Sequence, residues 1–469
     1  MRVRKKTLLS VTVLVLLCLA IAIAIGAYIG VFDDRDSFFY SALGEFLYFR
    51  HIIVMLPFVT DPPQTLFGPI YALIILPLSY LSPPSAMISI TALQILMIFA
   101  SAGALAYVAG KILSPRIRWV AALLFIFFPF TVPYATVVMS EITAMFLVAI
   151  YLLLLYGWVY KKWKFANLST LLLVSAILVL TRYVFIALFT VTFLMFFLVP
   201  VKRAPPFRAA GTIGILLIFG WILLNVHLHG IVALSNVTGR HLYNNVVSTA
   251  HIMPPYPNPK TNFFISRFIY KNSMYALTQP WWENEMLFND GIIKQTLIDK
   301  LYMDVAIVSI LHHPFQYMGN AIREFVAIPL TAPLYPDRAI TSLRECPATT
   351  CRFVWNARLC SPAVDNCSIR SWFASVVNWE TSLYPYPMLI FFIIVCMGVV
   401  FAAVRGPLYM RLVAGIFTMQ LLFQSGTEWV EGRFLVPLYP LYILLLLYGA
   451  KILIDAVIHV AARNKHETL

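Results

Sequence analysis

MRVRKKTLLSVTVLVLLCLAIAIAIGAYIGVFDDRDSFFY, residues 1–40, sets the frame for the whole chain. The first six residues include four basic ones, Arg2, Arg4, Lys5 and Lys6, and an apolar run follows from about Thr7 to Val31. At about 1.5 Å per residue this run can cross roughly 30 Å of hydrocarbon. It is longer than the apolar core of a cleavable signal peptide, so we expect an uncleaved first span. Because basic residues favour the cytoplasmic side, the amino terminus is predicted inside, and Asp33, Asp34 and Asp36 then emerge outside.

The composition excludes a soluble globular protein. Hydrophobic residues make up 61% of the 469 residues and charged residues only 12%, which is typical of a chain with many membrane spans. In a soluble protein the formal net charge of +14 would point to nucleic acid. In a polytopic protein, basic cytoplasmic loops account for it, so we expect no nucleic-acid partner.

The topology depends on how the run Gly68–Leu81 is read. Its length is marginal for a span. If it crossed the bilayer, the basic loops at 161–164 and 202–208 would lie outside, against the bias of such loops toward the cytoplasm. We therefore place it on or in the outer face, and Asp455 and Glu467 are then the only acidic residues on the inner side.

The predicted fold is an all-α polytopic membrane protein with about ten transmembrane helices and two large extracytoplasmic segments. Both termini are predicted to be cytoplasmic, in a plasma, inner or endoplasmic reticulum membrane. Three parts follow: an amino-terminal membrane module (1–227) that includes the first outer loop (32–86), an outer segment (228–384) and carboxyl-terminal helices (385–469). After the first span, the predicted spans are 87–110, 119–135, 139–159, 166–181, 183–200, 209–227, 385–404, 412–426 and 434–456.

Two features of the second outer segment bear on this topology. The stretch from about Leu301 to Leu330 mixes apolar residues with charges, so we predict a helical, partly interfacial region. If it spanned the membrane, the carboxyl terminus would move outside. The segment also holds four cysteines, for which two disulfides in an oxidising compartment are favoured over a zinc site, and the sequence does not choose among the three pairings. They are Cys346, Cys351, Cys360 and Cys367.

Several short motifs lie on the predicted outer side of the membrane, and their order along the chain is informative. In chain order they are Asp36-Ser37 with Tyr40, Pro62-Pro63 with Gly68-Pro69-Ile70-Tyr71, Ser140-Glu141, Thr181-Arg182, and Glu431 to Pro440. Together they resemble the GT-C superfamily of polyprenyl-phosphate-dependent glycosyltransferases, with the protein O-mannosyltransferase-like and aminoarabinose lipid A transferase-like enzymes as the nearest subfamilies. In the same order, they are similar to that superfamily's Asp-Ser/Glu-x-x-Tyr signature, its Pro-Pro-Leu-Tyr-type segment, its second acidic landmark, its Thr/Val-Arg step and its Glu-x-Arg-Tyr-x-x-Pro-x-x-Pro entry to the last span.

This resemblance implies a sugar donor on undecaprenyl or dolichyl phosphate and transfer at the outer face. The acceptor would be a glycan, a lipid or a protein. Asp36 is the implied catalytic base, although Asp34 precedes it closely and stays an alternative, and Glu141 is the second acidic landmark. The implied contacts to the lipid phosphate or the sugar are Arg182, Arg433, Tyr40 and Tyr71, with Arg50, His51 and Arg323 in reserve.

Elementary chemistry gives each residue type a task. An acceptor hydroxyl or amine becomes a competent nucleophile when a carboxylate within hydrogen-bond reach takes its proton. The departing polyprenyl phosphate gains negative charge, which fixed cations stabilise. A divalent metal held by Asp34, Asp36 and Glu141 stays open, since no metal-binding spacing is evident.

Structural explanations compete with these roles. Asp33 and Asp34 fit a solvated loop, Glu141 fits a carboxylate at a helix amino terminus, and Arg433 beside Glu431 fits an ion pair. Arg182, among apolar neighbours, is costly unless it reaches the interface or binds an anion.

A transporter or flippase of a lipid-linked glycan is the rival function, because it too needs outward-facing arginines beside a membrane cavity. Transporters commonly show internal repeats and ionisable residues near the midplane. Here the charges cluster at one face and no repeat is visible in the sequence.

Overall fold

The computed structural model describes fourteen stretches of the chain, and it is mostly helical. They are residues 68–79, 81, 83–135, 137, 139–160, 164–198, 209–235, 238–255, 258–265, 295–331, 352–354, 357–359, 383–427 and 432–467.

The amino-terminal half forms a series of apolar helices. They are α1 (Pro69–Ser79), α2 (Pro83–Ile112), α3 (Ile117–Ile126), α4 (Thr131–Tyr134), α5 (Glu141–Tyr160), α6 (Lys164–Thr181), a 3-10 turn (Tyr183–Phe185), α7 (Ile186–Leu198) and α8 (Ala209–His229).

The described part of the carboxyl-terminal half adds shorter helices, one hairpin and three long helices. They are α9 (Thr238–Tyr243), a π-helical turn (Asn244–Thr249), α10 (Pro259–Ile265), α11 (Gln295–His312), α12 (Pro314–Ala327), strands β1 (Arg352–Val354) and β2 (Ala357–Leu359), α13 (Pro385–Arg405), α14 (Leu408–Thr427), a 3-10 helix (Gly432–Leu438) and α15 (Tyr439–Glu467). The two strands pair antiparallel, with Arg352 opposite Leu359.

Five helices of the described chain are long and apolar enough to cross a membrane, and they match five of the predicted spans. They cover Ile88–Ile112, Glu141–Tyr160, Ala209–Leu228, Pro385–Arg405 and Leu435–Ala462. Helices α6, α7 and α14 occupy the predicted spans at 166–181, 183–200 and 412–426. The first predicted span lies outside the described residues.

The predicted span at 119–135 differs from the structure. Helix α3 ends at Ile126, and a break precedes the single turn of α4. Pro129 lacks an N–H and disfavours helical backbone in the residue before it, and Phe130 adopts the left-handed conformation at φ 63°. Counting apolar residues detects no such break.

Two hydrophobic cores hold the described helices together. The larger one joins α1 to α8 with α13 to α15, and the smaller one packs α9 and the π-helical turn on α11. In the larger core α13 and α15 approach closely, because a Cβ on Gly398 would lie 2.4 Å from the Leu445 carbonyl oxygen. In the smaller core Asp299 accepts hydrogen bonds from the backbone N–H groups of Gly239 and Arg240 at 3.1 and 3.0 Å, which fixes the start of α9 on α11.

Candidate functional site

Glu141 and Arg182 form a largely buried ion pair between two helix ends. Glu141 is the first residue of α5, and Arg182 directly follows the last residue of α6. The Arg182 guanidinium donates to Glu141 Oε1, with relative side-chain exposures of 14% and 1%. The two predicted landmarks therefore meet, and we call this region the Glu141 end of the bundle.

The ion pair with Arg182 uses one oxygen atom of the Glu141 carboxylate, Oε1. Among the described residues, Glu141 Oε2 is buried and has no hydrogen-bond partner. A carboxylate at a helix amino terminus is also favoured by the helix dipole. The structural explanation of Glu141 as a helix-terminal carboxylate is therefore compatible with its contact with Arg182. The pair fixes the guanidinium in place, as an anion-binding group requires.

Gly68 brings the first predicted outer loop to the same place. A Cβ on Gly68 would lie 1.9 Å from the Leu180 carbonyl oxygen and 2.9 Å from the Thr181 nitrogen. Only glycine permits such an approach. The segment that begins the Gly68-Pro69-Ile70-Tyr71 landmark is thus held against the end of α6, two residues before Arg182.

Tyr71 has a positioning role in this structure. It is 1% exposed, and its hydroxyl donates to Gln94 Oε1 at 3.1 Å. Gln94 Nε2 in turn donates to the carbonyl oxygens of Ala135 and Val137, each at 2.9 Å. The relay ties α1 and α2 to the chain that leads into Glu141.

The 3-10 turn after Arg182 is held from two further sides. Gln420 Nε2, on α14, donates to the Val184 carbonyl oxygen at 2.8 Å. Trp221 Nε1, on α8, donates to the Tyr183 hydroxyl at 3.1 Å and to the Leu234 carbonyl oxygen at 2.8 Å. Arg182 therefore stands at a junction of four helices, α5, α6, α8 and α14.

Sequence reasoning missed Gln94 and Gln420. Amide side chains inside apolar spans mark helix contacts, and that signal was present in both spans. Their partners lie 41 and 236 residues away, however, so the contacts themselves are not readable from local pattern.

Arg323 belongs to a second polar cluster, on α12. It is exposed and donates through Nη2 to Asn320 Oδ1, and Asn320 Nδ2 donates to Glu324 Oε1 at 3.0 Å. Glu324, which the sequence did not single out, is fully buried. Burial raises the pKa of this carboxyl group to about 7, although Asn320 and Arg323 act in the opposite direction.

The remaining predicted site residues lie outside the described part of the chain. These are Asp34, Asp36, Tyr40, Arg50, His51 and the four cysteines. The backbone at Arg433 belongs to the described 3-10 helix Gly432–Leu438, which packs against α5, but its side chain is not described. Within the described residues no group of three His, Cys, Asp or Glu side chains could hold a metal ion.

No protein-family model, no curated protein and no solved structure matched the chain.

Proposed function

We propose that this chain is an integral membrane glycosyltransferase that moves a sugar from a polyprenyl-phosphate donor to an acceptor at the extracytoplasmic face. The observation that carries the proposal is the meeting of three sequence landmarks, at Gly68–Tyr71, Glu141 and Arg182, at one end of an apolar bundle. In the proposed topology of about ten spans, with both termini in the cytoplasm, that end is the outer one.

The contacts of the Glu141 end support a phosphate-binding role for Arg182. A guanidinium recognises phosphate through several N–H donors in a fixed plane. The ion pair with Glu141 and the anchored turn at Tyr183–Phe185 restrict where that plane can lie. A preoriented cation stabilises developing charge without rearranging during the reaction.

The proposed reaction is a single displacement. The acceptor oxygen or nitrogen attacks the anomeric carbon, and Asp36 takes the proton that the acceptor loses. The bond from the anomeric carbon to the phosphate oxygen breaks, and its electron pair leaves with the polyprenyl phosphate. In this proposal Arg182 and Arg433 stabilise the negative charge that develops on this leaving group, while Glu141 orients Arg182.

The test is transfer of radiolabelled sugar by the purified full-length protein from a panel of polyprenyl-phosphate sugars. We expect transfer by the wild type and its collapse in Asp36→Asn. In Arg182→Ala we expect a loss of about 100-fold or more, as for removal of a group that stabilises transition-state charge. Arg118→Ala is the matched control, because Arg118 is exposed and lies over the Trp119 ring on α3.

The same protein in proteoliposomes tests the rival function. If no donor is consumed while the lipid-linked sugar crosses the bilayer intact, the chain is a transporter and the enzyme proposal is wrong. If activity persists in Asp36→Asn, the base is a different residue, and Asp34 is the next to be replaced.

A further inference from the structure

Helix α12 (Pro314–Ala327) has the reverse of the pattern expected for a helix on a water-soluble surface. Its buried positions are polar, Asn320 and Glu324. Its exposed positions include large apolar side chains, with Phe315 at 85% and Ile322 at 60%. On a water-soluble surface the polar side of such a helix normally faces water. The apolar exposed side of α12 is therefore expected to contact something other than water.

The apolar side chains form one continuous stripe. Phe315, Met318, Ile322 and Val326 are all exposed and recur every three or four residues. At 3.6 residues per turn, they fall within about 80° of one another on the helix, and Glu324 lies opposite them. We call these four residues the apolar stripe of α12.

The polar side of α12 is committed to the protein interior. The Tyr317 hydroxyl donates to the Gly426 carbonyl oxygen, in the last turn of α14, at 2.7 Å. Asn320 Nδ2 lies 3.5 Å from Asn245 Oδ1 on the π-helical turn. Glu324 is buried on the same side. These contacts fix the rotation of α12, so the apolar stripe must point away from the bundle.

The apolar stripe adjoins the exposed side of a candidate membrane span. The Phe325 ring packs against the Phe392 ring of α13, with centroids 6.5 Å apart. Helix α13 is long and apolar enough to cross a membrane, and Leu389, Ile390 and Ile393 are exposed beside Phe392. One apolar surface therefore runs from α13 onto α12.

We propose that the apolar stripe of α12 contacts lipid acyl chains, and that α12 lies in the leaflet at the Glu141 end without crossing the bilayer. Fourteen residues reach about 21 Å as a helix, short of the roughly 30 Å hydrocarbon core. Arg323 is the exposed charge on α12, and its long side chain can extend to the polar interface. The helix thus forms a wall between lipid on one side and the Tyr317–Asn320–Glu324 contacts on the other.

The experiment is carbene labelling of the wild-type protein in phosphatidylcholine proteoliposomes. One sample contains phosphatidylcholine with a diazirine in the acyl chain, and the other receives a water-soluble diazirine. Mass spectrometry then locates the adducts. The exposed face of α13 at Leu389, Ile390 and Ile393 is the internal reference for lipid contact, and Lys260, exposed on α10, is the reference for water.

We expect the apolar stripe to carry acyl-chain adducts at a level near that of the α13 reference. We also expect about tenfold fewer adducts from the water-soluble probe on the stripe than on Lys260, because apolar surface in hydrocarbon is removed from water. Preferential labelling of the apolar stripe by the aqueous probe would overturn the proposal. So would the absence of both kinds of adduct there while the two references are labelled, since that pattern means another protein surface covers the stripe.

Discussion

At the scale of single residues, the Glu141–Arg182 pair joins two positions that the sequence places 41 residues apart. Removing one partner of a buried ion pair leaves an uncompensated charge, which typically costs about 3 kcal/mol or more. We expect Glu141→Ala to destabilise the protein by an amount of that order in thermal unfolding in detergent. Glu141→Ala combined with Arg182→Leu should recover part of the loss, because no charge is then stranded.

The double variant decides whether the two residues act as a pair. If the loss of stability in the double variant equalled the sum of the losses in Glu141→Ala and Arg182→Leu alone, the two side chains would not interact, because the effects of independent sites add. The Arg118→Ala variant serves as the control for removal of an arginine elsewhere.

Glu324 gives the fold a specific dependence on pH. Its folded pKa is about 7, raised by burial from an ordinary value of 4.5. The folded state therefore holds the proton more tightly than the unfolded state. The associated stability is fully present below pH 4.5 and is lost as pH rises through 7, with a total on the order of 3 kcal/mol.

The measurement is the midpoint of thermal unfolding between pH 5 and 8 for wild type and Glu324→Gln. Glutamine keeps the shape and the acceptor for Asn320 but cannot ionise. We expect the wild type to lose stability relative to Glu324→Gln across this range. Parallel curves for the two proteins would mean that Glu324 does not titrate there. The nearby groups to consider are Tyr317 and Arg323, both on α12.

The sequence was informative about charged residues at helix ends and much less so about polar residues within helices. Glu141 and Arg182 stood out because a charge next to an apolar run needs a reason. Glu324 lies in a stretch of mixed polarity, where its burial depends on contacts with α14 and the π-helical turn. Those contacts are set by tertiary packing, which no local pattern reports.

At the scale of elements, the approach of Gly68 to α6 is the contact most sensitive to a single added atom. In Gly68→Ala the new methyl group would meet the Leu180 carbonyl, so the chain before α1 must move away from Arg182. We expect a loss of stability of about 1–3 kcal/mol, as for overpacking, and a matching loss of transfer activity.

Gly103→Ala is the matched control, because nothing lies within 4 Å of a Cβ at that position in α2. It should be neutral or slightly stabilising, since alanine favours helix. Equal effects of the two substitutions would contradict the close approach at Gly68.

The β1–β2 hairpin bears on the disulfides, although the four cysteines themselves lie outside the described residues. The register pairs Arg352 with Leu359, and Cys351 and Cys360 are the next residues in sequence on either side. Directly opposite residues of antiparallel strands have Cα atoms about 4.5–5.5 Å apart, within the range that a disulfide bridges. We therefore predict Cys351–Cys360, which leaves Cys346 with Cys367.

Peptide mapping of the non-reduced protein by mass spectrometry checks this pairing. A bridge from Cys346 to either Cys351 or Cys360 would contradict it. The sequence alone leaves three pairings open, and the register of the described strands favours this one.

Helix positions were largely predictable, whereas helix breaks were not. The predicted span at 139–159 begins within two residues of α5, because a long apolar run bounded by polar residues has few alternatives. The span at 119–135 is broken around Phe127–Phe130, where Pro129 and the left-handed Phe130 interrupt an otherwise apolar stretch.

At the scale of the whole molecule, we propose that one end of an apolar bundle collects the residues for sugar transfer. The structure contributes the meeting of Gly68, Tyr71, Glu141 and Arg182 there. The proposed base, Asp36, lies outside the described residues, and its role rests on the family resemblance. The sequence could suggest individual residues of the site, but not the contacts between them. Contacts such as that from Gln420 to Val184 join segments that are far apart in the chain, so no local pattern reports them.

The most direct measurement of this claim is the free polyprenyl phosphate released by the purified protein, counted against the sugar transferred to acceptor. We predict one polyprenyl phosphate per sugar transferred, with both products falling together by about 100-fold or more in Arg182→Ala and unchanged in Arg118→Ala. Donor recovered intact on the opposite side of proteoliposomes, with no polyprenyl phosphate formed, would contradict the account.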